Sequence, residues 1–361
     1  MLTARNVVQN LKEYHPPLGG RDGLRLDFNE NSSGCSPRVL EALARINGDL
    51  LSKYPERDPV EAVVAEFLGL ERKQVLLTNG VDEAIHLVCE TYLEPGDEAL
   101  IVVPTFSMYE IYALATGASV LAIPARKDFE FPTAAVLTAT SAKTKLIAIA
   151  NPNNPTGKVV PRERLIDILS EARDAAVLID EAYFEFYGHT LMDMVGKYDN
   201  LFIARTFSKA YGLAGFRVGV LAGSAGQMKL VRRVSSPYNV NGVALACLPE
   251  ALADREYIAG YSAEVRAGRR RLESELALLG IQYWPSQANF VLARFGEFRK
   301  PFVDSMRARG ILVRDRHSDP GCEGCVRITV GTNEQTDRLL RELRAALEAI
   351  EWKPSSAEAA R

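Results

Sequence analysis

The 361-residue chain has no apolar run near the roughly 18 residues that a membrane-spanning helix needs. Its longest apolar runs, such as residues 146–150, have the length of buried strands. The opening stretch MLTARNVVQNLKEYHPP lacks the apolar core of a secretory signal. Charge of one sign is also lacking. The formal net charge is −3 with 25% charged residues, so no basic field is present to hold nucleic acid, and that class of partner is not expected. No G-x-x-x-x-G-K-[ST] or G-x-G-x-x-G loop occurs, which removes the common nucleotide-binding turns.

Cysteine is sparse. The five residues Cys35, Cys89, Cys247, Cys322 and Cys325 are odd in number and irregular in spacing. That argues against a disulfide framework and for a reducing, cytoplasmic compartment. Cys322 and Cys325 form a C-x-x-C, but a structural zinc site would need a second ligand pair at metal-like spacing. The motif sits in the Gly-rich segment PGCEGC rather than at a strand-to-helix turn. It reads as a turn before a strand, and no metal is expected.

What the chain does have is 47% hydrophobic residues, and length enough for two domains or for one large domain with a satellite. Residues 1–45 read as an irregular arm with a short helix at each end, interrupted by Pro16, Pro17, Gly19, Gly20 and Gly23. From residue 46 to 240, short apolar segments alternate with helical patterns. Strands are expected at 74–78, 99–103, 120–124, 145–150, 176–179, 201–206 and 218–222, and helices at 58–68, 81–92, 106–116 and 162–172. This alternation predicts an α/β domain with a mostly parallel sheet flanked by helices. Residues 241–361 read as a smaller α+β domain, with long helices at 244–253 and 258–279, strands near 290–293, 311–314 and 326–330, and a closing helix at 334–349. The cluster Arg266, Arg269, Arg270 and Arg271 is interleaved with acidic residues and reads as a solvated helix face.

Four segments stand at or just beyond strand ends, where ligands bind in open α/β sheets. In TNGVDEAI a strand gives way through Gly80 to a helix whose first N–H groups, at Gly80, Val81 and Asp82, suit an anion such as phosphate. In NPNNPTG two Asn-Pro steps hold a loop out of helical geometry, so that Asn154 can offer its amide to a ligand oxygen. In IDEAYFEF, Asp180 ends an apolar strand. A buried carboxylate needs a cationic or hydrogen-bonding partner, no basic residue adjoins it, and a protonated pyridine nitrogen would serve. Tyr183 follows with a phenol suited to a ring oxygen. In TFSKAYGLAGFRVG, Thr206, Ser208, Lys209 and Arg217 follow another buried strand. A lysine held there near other cations can lose its proton readily and attack an aldehyde.

Taken in this order, NPNNPTG, DEAY and S-K-x-x-G-L-x-G-x-R-x-G resemble the fold type I pyridoxal-phosphate (PLP) enzymes, and most nearly the histidinol-phosphate aminotransferase family. The resemblance runs from DFNEN at Asp27 to VRITVGT at Val326. It implies that Lys209 holds PLP as a Schiff base and, once displaced, acts as general base and acid. It implies that Asp180 pairs with the pyridine nitrogen, and that Asn154 and Tyr183 hold the ring oxygen. The phosphate falls to the backbone of Gly80, Val81 and Asp82 and to Thr206, Ser208 and Arg217, and Phe106 stacks on the ring. Tyr54 resembles the tyrosine that reaches the partner subunit's phosphate, which implies a homodimer with shared active sites. Arg327 resembles the arginine that binds the carboxylate of glutamate and the substrate phosphate in turn. Arg314 resembles a second anion-binding arginine, and Tyr14 part of the substrate cover. The implied reaction exchanges an amino group between L-histidinol phosphate and 2-oxoglutarate, in histidine biosynthesis. The chain departs from the family's ENPYGPSP with ENSSGCSP at residues 30–37, losing an aromatic and a proline in the arm over the substrate. The same motifs leave open an aromatic aminotransferase, an amino-acid-phosphate decarboxylase or a non-catalytic PLP-fold regulator.

Overall fold

The computed structural model describes residues 2–11, 13, 15, 19, 20 and 22–353. Tyr14 and the tail from residue 354 lie outside them.

The larger sheet runs Val75–Thr78, Gly219–Gly223, Leu201–Thr206, Ala176–Asp180, Thr144–Ala150, Glu98–Val103, Ser119–Pro124. All neighbours are parallel except Gly219–Gly223, which runs antiparallel to both of its own. The central segments LIAIA, AVLID and LFIART are almost continuously apolar because both faces are covered. Successive residues divide between two cores. Leu178, Ala204, Ala148 and Leu221 pack with the helices Gly80–Tyr92, Met108–Thr116 and Ala225–Val234. Val177, Ile179, Ile203 and Ile147 face the other way, with helices Asp58–Leu68, Arg162–Glu171 and Gly242–Ala253. The alternation predicted an α/β fold with a mostly parallel sheet, and this is the arrangement found.

A second sheet runs Leu24–Leu26, Ile311–Asp315, Cys325–Thr329, Phe290–Arg294, Gln282–Trp284. Its first pair is parallel and the rest antiparallel. The outer strands Leu24–Leu26 and Gln282–Trp284 were not expected, nor were the helices Thr133–Ala139, Ala225–Val234 and Arg299–Ala308, among others. Three-residue strands are too short to display a two-residue period. The expected elements are otherwise found, with ends shifted by a few residues. No helix among the described residues is long and apolar enough to cross a membrane.

One buried network fixes the strand that leads into the Gly80 turn. The fully buried Glu61 accepts from the Leu77 N–H at 3.1 Å and pairs with Arg57 at 3.0 Å and Arg232 at 2.8 Å. Removing this carboxylate strands two guanidinium groups. Glu61→Ala should therefore lose about 3 kcal/mol of stability, read as a lower urea midpoint at unchanged slope.

Candidate active site

The parallel strands deliver their last residues to one place. Ala150, Asp180 and Ala204 lie in register across three neighbouring strands. The pocket just beyond is lined by Val81, Asp82, Phe106, Asn154, Asp180, Tyr183, Thr206, Ser208, Lys209, Arg217, Arg314 and Arg327, all of them expected from sequence. It also holds Asp27, Phe28, Asn29, Tyr109 and Arg316, which were not.

Asp180 is 5% exposed. Burial lifts its carboxyl to about 6, partly offset by the Tyr109 hydroxyl, which donates to Oδ2 at 2.6 Å, and by the Ala182 N–H, which donates to Oδ1 at 3.0 Å. No cation stands among the partners that shift it. The carboxylate is thus held in place but short of countercharge, as expected of a group that meets a cationic ligand.

Lys209 follows the strand Leu201–Thr206, in a turn where the Gly212 N–H donates to its carbonyl at 3.1 Å. Its Nζ donates to the Phe28 carbonyl at 2.9 Å. Desolvation, reinforced by Arg327, lowers its pKa to about 8. At neutral pH a larger fraction of this amine is unprotonated than of an exposed lysine, which suits a nucleophile toward an aldehyde.

The anion cradle is a crossing of two backbones. Gly80 opens the helix Gly80–Tyr92 at φ +76°, and a side chain there would meet the Arg217 guanidinium at 2.6 Å. Gly219, opposite, would strike the Gly80 carbonyl carbon at 3.0 Å if it carried a Cβ. Only glycines allow this approach. Arg217, at φ +52°, bends back to bond Asp82 at 2.9 Å beside the helix start. Thr206 Oγ1 accepts from the Ser208 N–H at 3.0 Å, so both hydroxyls border the same turn.

The segment after strand Leu24–Leu26 ties the second sheet to this centre. Asn29 Nδ2 donates to the Tyr183 hydroxyl at 2.9 Å, and Thr329 Oγ1 donates to Asn29 Oδ1 at 3.0 Å. The Asp27 carbonyl accepts from Arg327 at 2.6 Å, and Arg327 also donates to Asn154 Oδ1 at 2.5 Å. The sequence held a clue to Asn29. Its φ is +55°, a region where Asn is among the few tolerated side chains. Tyr109 was legible only as the second aromatic of PTFSMY.

Among the described residues, two expected ones do not line the pocket: Gly80, at the crossing just described, and Tyr54. Tyr54 is 79% exposed and stacks on Tyr238 with ring centroids 4.4 Å apart. It therefore does not reach the site of its own chain. Tyr14 lies outside the described residues.

Comparison with known proteins fits this geometry. The family model for aminotransferase class I and II matches residues 21–343. The histidinol-phosphate aminotransferase of Roseiflexus castenholzii is 37% identical over 335 residues, 89% of each chain. Histidinol-phosphate aminotransferase 1 of a Nostoc species is 34% identical over 351 residues, 96% of this chain and 98% of that one. In fold, the chain is similar to the histidinol-phosphate aminotransferase of Sinorhizobium meliloti, solved in complex with pyridoxal-5'-phosphate. The TM-score is 0.87 at 24% identity, covering 96% of this chain and 97% of that one.

The Asp180 environment generates a test. Between pH 3.8 and about 6 the folded, cofactor-free chain keeps a proton on Asp180 that the unfolded chain has released, so this group's contribution to stability falls as pH rises through that window. Tyr109→Phe removes a hydrogen bond that favours the carboxylate. Carboxyl carbon NMR should then show Asp180 titrating above about 6, with the window of falling stability widened upward.

Proposed function

The chain belongs to the class I and II aminotransferases and is a PLP-dependent transaminase; within that family we propose that it exchanges an amino group between L-histidinol phosphate and 2-oxoglutarate. The observation that carries the phosphate-bearing substrate is an excess of cationic side chains. Lys209, Arg217, Arg314, Arg316 and Arg327 line the pocket against three carboxylates, Asp27, Asp82 and Asp180. Arg217 is set at the helix start for one phosphate, and Arg314, Arg327 and Arg316, the last paired with Asp319, add positive charge for the anionic groups of the substrates. The high identity to curated histidinol-phosphate aminotransferases over nearly the whole chain supports the same reading.

The residues present fit PLP. Asp180 is a carboxylate that burial raises to about 6, and a pyridinium N–H beside it would favour its charged form. The Gly80–Gly219 crossing leaves helix N–H groups that have no intrahelical partner, a place for phosphate. In the proposed assignment, Gly80, Val81, Asp82, Thr206, Ser208 and Arg217 hold the phosphate. Asn154 and Tyr183 hold the ring oxygen, and Phe106 covers a ring face. When bound, PLP supplies an electron sink for negative charge developing on the substrate carbon.

The chain's own residues do the rest. Lys209 would hold the cofactor aldehyde, and its Nζ, when free, would take a proton from the substrate carbon and return it one position along. The lowered pKa leaves a larger fraction of that amine unprotonated at neutral pH than an exposed lysine would have. Tyr109 and the Ala182 N–H hold the Asp180 carboxylate in place, where it would meet the ring nitrogen. Arg327 grips carboxylate or phosphate, with Asn154 and the Asp27 carbonyl fixing its planar fork. Arg314 extends the same grip.

The reading includes a homodimer in which Tyr54 of the partner subunit completes the phosphate site. The exposed stack of Tyr54 on Tyr238 supports it. It also includes a cytoplasmic location, supported by five free thiols.

Holoenzyme titrated with L-histidinol phosphate, L-phenylalanine and L-tyrosine tests the substrate. Histidinol phosphate should convert the cofactor spectrum with much the highest specificity constant, without release of carbon dioxide. Arg327→Ala should lower that constant by about tenfold to a hundredfold, the loss of a charge-assisted hydrogen-bond pair. Preference for the aromatic amino acids, or carbon dioxide release, would overturn the assignment.

A further inference from the structure

Beside the substrate arginines lie two thiols that transamination does not use. The Cys325 N–H donates to the Cys322 carbonyl at 2.9 Å, closing a four-residue turn immediately before the strand Cys325–Thr329. A turn of this kind holds its first and last Cα within about 7 Å, and disulfides span Cα separations of about 4.4–6.8 Å. Both side chains fall on the same side of the turn. Each residue is 0% exposed and packs with Trp284 and Leu292. Each thiol is also the strongest influence on the other's acidity: Cys325 is lowered, with Arg294 assisting, while Cys322 is raised. The cover above them is thin, since the neighbours Pro320, Gly321 and Glu323 are exposed. Among the described residues there is no group of three or more His, Cys, Asp or Glu that could hold a metal ion.

The turn is bound to the pocket through the backbone. The Arg316 N–H donates to the Cys325 carbonyl at 3.0 Å, the Asp319 N–H to the Arg316 carbonyl at 3.0 Å, and the Cys322 N–H to the Asp319 carbonyl at 2.9 Å. The Arg316 guanidinium pairs with the Asp319 carboxylate. Arg316 lines the pocket, and Arg327 stands two residues beyond Cys325.

We propose that Cys322 and Cys325 are a reversible thiol–disulfide site whose oxidation weakens anion binding by Arg316 and Arg327. The oxidant is a low-molecular-weight disulfide, admitted by local opening of the exposed turn. The Cys325 thiolate attacks one of its sulfurs and expels a thiolate. Cys322, losing its proton, then attacks the Cys325 sulfur of the mixed disulfide and expels the second. The chain gives up two electrons and two protons, and the oxidant leaves as two thiols. The new bond draws the turn together, and the ring of hydrogen bonds passes the shift to Arg316. The effect on anion binding rests on the aminotransferase reading; the thiol chemistry does not.

The test uses holoenzyme in a Cys35→Ser background, because Cys35 is only partly buried. The protein is equilibrated with oxidised glutathione and compared with a reduced sample. Expected are the loss of two free thiols, an intact mass lower by two hydrogen atoms and a peptide crosslinked between Cys322 and Cys325. KM for glutamate and for the phosphorylated substrate should rise several-fold while kcat changes less, and dithiothreitol should reverse both. Adding Cys322→Ser or Cys325→Ser should abolish the response. Two thiols that stay free, or a lone glutathione adduct, would overturn the site. A crosslink that forms with KM unchanged would overturn its coupling to anion binding. If the crosslink forms in a protein that shows no transamination, the failure lies with the functional reading instead.

Discussion

A carboxylate with too little countercharge organises this protein. Asp180 ends a strand buried on both faces, where ionisation is costly, and its hydrogen bonds from Tyr109 and the Ala182 N–H only partly offset that cost. The parallel register sets the ends of the neighbouring strands beside it, and the loops that leave them carry Asn154 on one side and Thr206, Ser208 and Lys209 on the other. The sheet therefore supplies more than a scaffold. It places one buried carboxylate at the floor of the pocket and surrounds it with the polar groups that the proposed function assigns to a phosphorylated pyridine.

The second sheet closes the site through residues 27–29. Three of the groups assigned to chemistry or recognition are held by this short stretch: Lys209 by the Phe28 carbonyl, Arg327 by the Asp27 carbonyl and Tyr183 by the Asn29 amide. Asn29 is itself fixed by Thr329, from the strand that carries Arg327. Arg327 and Lys209 are thus referred to one backbone. Arg327 also lowers the lysine's pKa, so substrate recognition and amine basicity are electrostatically linked.

The fold was legible where patterns were long. Buried strands such as LIAIA and LFIART sufficed for the main sheet, and the apolar segments near 290–293, 311–314 and 326–330 for much of the second. Three-residue strands were not legible, because a two-residue period cannot appear in so short a segment. In the site, the residues read correctly into the pocket sit in motifs next to strand ends, where composition is unusual for a structural turn. Of those missed, Tyr109, Asp27, Phe28 and Asn29 act through partners distant in sequence: Tyr109 meets Asp180 across 71 positions and Phe28 meets Lys209 across 181; Arg316 pairs only three residues on, with Asp319, and no motif marked it. Tyr54 shows the converse. Its motif pointed to the phosphate, but within one chain it stands on the surface.

The central claim is that Asp180 is completed by a protonated ring nitrogen. Nitrogen NMR of holoenzyme carrying PLP labelled at the ring nitrogen observes that atom directly. The account predicts a pyridinium signal at neutral pH that gives way to the unprotonated form in Asp180→Asn. An unprotonated ring nitrogen in the unaltered holoenzyme would contradict it.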